Sequence, residues 1–85
     1  KNVKLVIMDE PMAALGVEEG SRVLNLIKNM REKGISVIVI SHNLEHVFQL
    51  SNRIAILKNG RLVSIVDATS VSRESVVRMI TFGQE

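Results

Sequence analysis

Two short apolar runs, VKLVIM at residues 3–8 and ISVIVI at residues 35–40, constrain this chain more than any other feature. Each has the length of a strand and neither alternates: the first is broken only by Lys4, the second only by Ser36. A strand with one wet face alternates apolar and polar residues, so an unbroken run predicts cover on both faces, the habit of parallel strands flanked by helices. Between the runs, residues 17–33 place Val23, Ile27 and Met30 at helical spacing, with Leu24 and Leu26 beside them. Glu18 and Glu19 complement the positive end of a helix dipole, and Gly34 after the last basic residues is a stop signal. Gly20 is a misfit, costing about 1 kcal/mol against Ala in a helix interior and less in the first turn. Strand, helix, strand predicts one right-handed βαβ unit with a parallel pair.

The second half has different punctuation. Residues 44–50 read as a short helix that Asn43 can cap. Residues 53–57 form a third strand, and Asn59-Gly60 supplies a two-residue hairpin turn, whose central positions both need positive φ, before a fourth strand over 61–66. Ser72 caps a last helix over 73–81, with Val76, Val77 and Ile80 expected as its buried side. The order βαβαββα predicts an α/β domain with a terminal hairpin over residues 1–85, and no repeat or linker divides it.

Composition narrows the function classes. Hydrophobic residues make up 46% of the chain and 11 Lys+Arg stand against 9 Asp+Glu, the balance of a globular segment. With Phe48 and Phe82 as its two aromatic residues and a net charge of +2, the chain has no platform for stacking bases, so nucleic acid is not an expected partner. The lack of cysteine removes disulfides and thiolate metal sites. No apolar run approaches the roughly 20 residues that span a bilayer, so any membrane link is expected to run through another chain. A chain of 85 residues buries only about 60% of its unfolded surface, which makes its core marginal. Its first residue is lysine and a strand follows almost at once, so the expectation is a segment of something longer.

Parallel strands joined by a crossover helix end at one sheet edge, and ligands of open α/β sheets bind outside that edge. Asp9 and Glu10 end the first strand; Ser41 and His42 end the second. For neighbouring strands about 4.8 Å apart, two acids and an imidazole then share one rim. Adjacent strand residues point to opposite faces, so Asp9 and Glu10 divide the labour. One carboxylate can hold a hard cation such as Mg²⁺, directly or through water, while the other accepts a proton from an attacking water. Pro11 is expected to hold Glu10 extended and to remove a ladder donor beyond it. Plainer readings stand beside these. An acidic pair at a strand end can be a solvated turn, and a lone histidine can be a cap or a surface residue. His46 lies four residues after His42, but the pair lacks a third zinc ligand. Met8, Met12, Met30 and Met79 read as packing, and Lys28, Arg31 and Lys33 as a solvated helix face.

Taken in order, "KLVIMDEP", "AALG", "VIVISHNLEHV" and "NRIAILKNGRLV" with the closing helix resemble the C-terminal part of an ATP-binding cassette (ABC) ATPase, the motor subunit of ABC transporters. The resemblance covers essentially all 85 residues, and several motifs at consistent spacing are more specific than any one alone. It implies a partial P-loop NTPase sheet from which the Walker A strand is absent. "LVIMDE" resembles the Walker B strand, implying that Asp9 holds the Mg²⁺ of MgATP, through water, and that Glu10 is the general base. Ala13, Ala14, Leu15 and Gly16 fall where the family has its D-loop, which contacts a second ATPase subunit in an ATP-sandwiched dimer. Gly16 replaces the family's usual aspartate and Met12 its common threonine, departures that bear on the cross-dimer contact. His42 in "ISHN" matches the switch histidine, a catalytic and ATP-contacting residue at the γ-phosphate. The wording is most similar to bacterial monosaccharide importers, implying transmembrane permease partners and a peripheral place on the cytoplasmic face of the cell membrane. Phosphoryl transfer fits such a set, since it needs positioning and charge neutralisation more than covalent chemistry.

These residues contain neither a G-x-x-x-x-G-K-[ST] phosphate loop nor the family's "LSGGQ" signature, Q-loop or adenine-stacking aromatic. The chain alone is therefore expected neither to bind ATP tightly nor to hydrolyse it. The resemblance places the Walker A strand between the strand ending at Ser41 and that beginning at Arg53. Two edges left without it are expected to make the isolated chain dimerise, swap elements or rearrange its strands. Two other classes remain open from the residues: a Mg²⁺-binding or regulatory α/β module of flavodoxin-like architecture without hydrolysis, and a structural assembly piece.

Overall fold

The computed structural model describes residues 4–84, in two compact units that meet in sequence at Leu50 and Ser51. Val3, the first residue of the predicted opening strand, lies outside the described residues.

The first unit runs β1 (Leu5–Asp9), α1 (Val17–Glu32), β2 (Ser36–Ile40) and α2 (Leu44–Leu50). The two strands pair in parallel, in register from Leu5 opposite Ser36 to Asp9 opposite Ile40. The crossover helix begins where the sequence predicts and ends one residue sooner, with Gly34 at φ +83° turning the chain into β2. Gly20 falls in the first turn, where its N–H makes a 2.9 Å bond to the Gly16 carbonyl, so the lesser cost applies. Met12, Ile27 and Leu50 form the core, and Met8, Val23, Leu24, Met30, Val37 and Val39 pack against it.

Three expectations for this unit are corrected. The sheet is covered on one face: Val6, Met8, Val37 and Val39 are half-buried, while Leu5, Ile7, Ile38 and Ile40 on the other face are exposed. One crossover helix can roof only one side of a two-stranded sheet. Leu26 is exposed as well, because the stripe through Val23, Ile27 and Met30 already fills the helix face that meets the sheet. Arg31 is also no part of a solvated face. It is half-buried and its guanidinium donates to the Leu50 carbonyl at 2.7 Å, satisfying an orphan acceptor at the end of α2.

The second unit is the hairpin of β3 (Arg53–Lys58) and β4 (Arg61–Asp67), followed by α3 (Arg73–Phe82). Asn59 and Gly60 sit at φ 53° and 77°, the paired positive values a two-residue turn requires. Register shifts from Ile56 opposite Ser64 to Leu57 opposite Leu62, so Val63 is the extra residue of a β-bulge. Ser72 caps α3, its hydroxyl accepting the Ser75 N–H at 3.1 Å, and Gly83 closes the helix in the left-handed conformation. Ile54, Ile56, Val76 and Met79 are buried. The predicted inner face of α3 needs correction here: Val76 is fully buried, but Val77 and Ile80 are 44% and 43% exposed, and Met79 fills the second inward position. Residues 76 and 79 are three apart and face β3 together, whereas 77 and 80 form the adjacent stripe, rotated toward solvent. Among the described residues, no helix is long and apolar enough to cross a membrane.

Candidate catalytic rim

The parallel register decides the geometry. Asp9 pairs with Ile40, so the chains leave the sheet together, and the Glu10 N–H extends the ladder with a 2.7 Å bond to the Ile40 carbonyl. Glu10 and His42 emerge side by side at the strand ends. One Glu10 oxygen, Oε2, accepts the His42 backbone N–H at 3.1 Å and also contacts the His42 ring at Nδ1. The ring meets the carboxylate through Nδ1, which leaves Nε2 without a partner among the described residues. The other Glu10 oxygen, Oε1, has no partner among the described residues. Glu10 therefore engages His42 through one carboxylate oxygen and leaves the other without a protein partner among the described residues.

Glu10 is not extended, contrary to the expectation drawn from Pro11. Its φ is +50°, in the region L-residues rarely occupy. The reason lies in what surrounds it: the Glu10 carbonyl accepts the Ala13 N–H at 3.2 Å to start a turn, while its carboxylate is tied back to His42. Both bonds require the chain to fold over at Glu10, and together they outweigh the preference of a residue before proline.

Asp9 lies on the open sheet face and is exposed, with no side-chain partner among the described residues. A single free carboxylate suits Mg²⁺, which keeps several of its waters and takes only one or two protein carboxylates. Glu10, engaged by His42, is less suited to the ion. The two neighbouring acids thus occupy different environments.

The turn over residues 11–14 carries the chain from Pro11 to the helix. Met12 is buried in the core as its anchor, the Leu15 N–H bonds to the Met12 carbonyl at 3.3 Å, and Ala14 sits at φ 65°. Gly16 is the N-cap of α1, with no side chain to supply a cap bond. Leu15 and Val17 are exposed, Val17 at 91%.

On the other side of the rim, residues 41–43 are held by side chains. The Ser41 hydroxyl accepts the Asn43 N–H at 3.0 Å, and the Asn43 carboxamide accepts the His46 N–H at 3.1 Å, capping α2 as the sequence predicts. A small polar cleft of about 250 Å³ lies between this loop and the turn, with Glu10, Ser41, Asn43 and His46 in its wall. Two features escaped the sequence reading: the Ser41 hydroxyl bond, and His46 as a wall residue beside Glu10 rather than a partner of His42. The serine two residues before Asn43 is the signal that carries the first.

No protein-family model matches the chain. It is 43% identical over 82 residues to the fructose import ATP-binding protein FrcA of Rhizobium meliloti, a match that takes in 96% of this chain and 32% of that protein. It is 38% identical over 79 residues to the ribose import ATP-binding protein RbsA of Chelativorans sp., covering 93% of this chain and 16% of that one. The chain thus spans a third or less of the length of these relatives. Among solved structures, the cbiO1 protein of Clostridium perfringens, part of the ABC transporter complex cbiONQ, superposes with a TM-score of 0.71 at 25% identity, over 94% of this chain and 34% of that one. The ADP conformation of another ATP-binding cassette of an ABC transporter gives 0.68 over 93% of this chain and 30% of its own, and at 22% identity it speaks to the fold.

Proposed function

Since this chain is homologous over nearly all its length to ATP-binding subunits of ABC sugar importers and has the fold of the matching part of an ABC ATPase domain, we propose that it supplies the water-activating and metal-holding rim of an ATPase that drives sugar import. The observation that carries this reading is the pairing of Glu10 with His42 beside an unpartnered Asp9. Asp9, in the Walker B position, holds Mg²⁺, which when bound neutralises charge on the phosphate oxygens. Glu10 accepts a proton at Oε1 from the attacking water. Its Oε2 holds the His42 ring at Nδ1, which leaves Nε2 turned outward to contact the γ-phosphate.

Residues 13–16 serve as the D-loop, reaching a second ATPase subunit; the exposure of Leu15 and Val17 on either side of Gly16 supports that contact. Permease subunits complete the transporter, and the ATPase sits peripherally at the cytoplasmic membrane face. The phosphate loop is not among these 85 residues, so the isolated chain does not hydrolyse ATP.

The test is Glu10→Gln in the full-length protein that carries this segment. Loss of a general base predicts a fall in kcat of about 100-fold or more with little change in the KM for ATP. Turnover unchanged by Glu10→Gln would reject the assignment and favour a Mg²⁺-binding or regulatory module.

A further inference from the structure

The His42 ring is the exposed member of the rim: its side chain is 94% accessible, against 31% for Glu10. An imidazole so bare has no packing to fix it, so its position is inherited from the backbone of residues 41–43 and from Glu10. Three backbone N–H groups of this loop and the helix that follows end on side-chain oxygens. His42 N–H goes to Glu10, Asn43 N–H to Ser41, and His46 N–H to Asn43. The Asn43 carbonyl also accepts the Val47 N–H at 3.0 Å, making Asn43 the residue where loop and helix join.

We propose that Ser41 and Asn43 are positioning residues for His42: they fix the loop so that the His42 N–H and ring both reach Glu10 Oε2. Ser41 sets the turn that carries the ring, and Asn43 ties that turn to α2, whose far end is held by Arg31 through the Leu50 carbonyl. Neither side chain contacts the candidate reacting atoms, so each acts through His42 alone. This inference rests on the assignment of His42 to the site, but its first readout does not.

That readout is hydrogen exchange at the His42 amide, followed by NMR in the full-length protein. Asn43→Ala removes the cap and is expected to speed exchange at His42 about tenfold, whereas Asn43→Asp, which still accepts the His46 N–H, restores protection. Ser41→Ala is expected to speed it to a similar degree. In turnover, Asn43→Ala and Ser41→Ala lower kcat about tenfold at constant KM for ATP, and Asn43→Asp recovers most of the loss. Exchange at His42 unchanged in both alanine variants overturns the proposal. So does a loss of α2 helicity without a change at His42, which would make Asn43 a helix cap and nothing more. If exchange responds while turnover does not, His42→Ala separates the two claims. Normal turnover in His42→Ala rejects the catalytic assignment and leaves the positioning role standing; impaired turnover there rejects the positioning role in catalysis.

Discussion

At the scale of single residues, the rim is built where local preference is overridden. Glu10 and Ala14 both hold positive φ within one turn of five residues, and neither is glycine or asparagine. Their costs differ in kind. Glu10 receives compensation from His42, whereas Ala14 is exposed and has no side-chain interaction to offset a left-handed backbone. Ala14→Gly should therefore stabilise the fold by about 0.5–1 kcal/mol, the relief of left-handed strain less the extra chain entropy of glycine, read from the midpoint of urea unfolding. An unchanged or lower midpoint would mean the turn is held open by something other than its own backbone. That Asp9 and Glu10 meet different surroundings was legible because strand alternation forces neighbours apart, and the structure leaves Asp9 exposed while Glu10 is tied to His42. The backbone at Glu10 was not legible. Proline's effect on the preceding residue is a local preference, while the bond that defeats it comes from His42, 32 residues away.

At the scale of elements, punctuation was read better than facing. Asn43, Asn59-Gly60, Ser72 and Gly34 act at single positions through their own backbone or side chain, so the termini of α1, α2 and α3 and the hairpin turn agree with the sequence to within a residue or two. The face of α3 depended instead on choosing between two adjacent stripes that are both apolar, 76 with 79 and 77 with 80, and no local signal separates them. Burial then makes a sharp distinction between neighbours. Val76→Ala should cost about 2 kcal/mol and Val77→Ala under about 0.5, measured by thermal or urea unfolding, because only the first opens a cavity. Equal effects would place α3 in the wrong rotation. The turn before α3 also carries a pH dependence. The Thr69 hydroxyl, donating to Asp67 at 2.7 Å, and then the Thr69 N–H at 2.9 Å, hold the Asp67 carboxyl below the usual aspartate range. A carboxyl lowered in the folded state contributes stability that is fully present above the unfolded value and lost as pH falls through the folded one. Thr69→Val should accordingly lower stability near neutral pH and converge with the parent at acid pH; a gap constant with pH would reject the carboxylate as its cause.

At the scale of the whole molecule, the two unbroken runs demand more cover than the described residues provide. Met8, Val37 and Val39 find it against the core that includes Ile27 of α1, but Leu5, Ile7, Ile38 and Ile40 remain 48–63% exposed on one continuous face. The hairpin repeats the pattern: Leu57 pairs with Leu62 and Ala55 with Ile65, and Leu57, Leu62 and Ile65 are all more than half exposed. That demand was legible in the sequence as the absence of alternation; what meets it was not, because an apolar run specifies burial without naming the surface that buries it. Each sheet also has only two strands, so every strand keeps a free edge among the described residues. Apolar faces bounded by free edges associate, and the isolated 85-residue chain should sediment at micromolar concentration as dimers or larger species. Ile7→Lys with Ile38→Lys places two like charges on the open face without touching the core of Met12, Ile27 and Leu50. That pair should shift the chain toward monomer while circular dichroism stays unchanged, since the charges oppose association and leave the buried contacts intact. A compact, folded monomer for the parent chain over the same range would show that the open faces satisfy themselves, and would remove the argument for a missing layer.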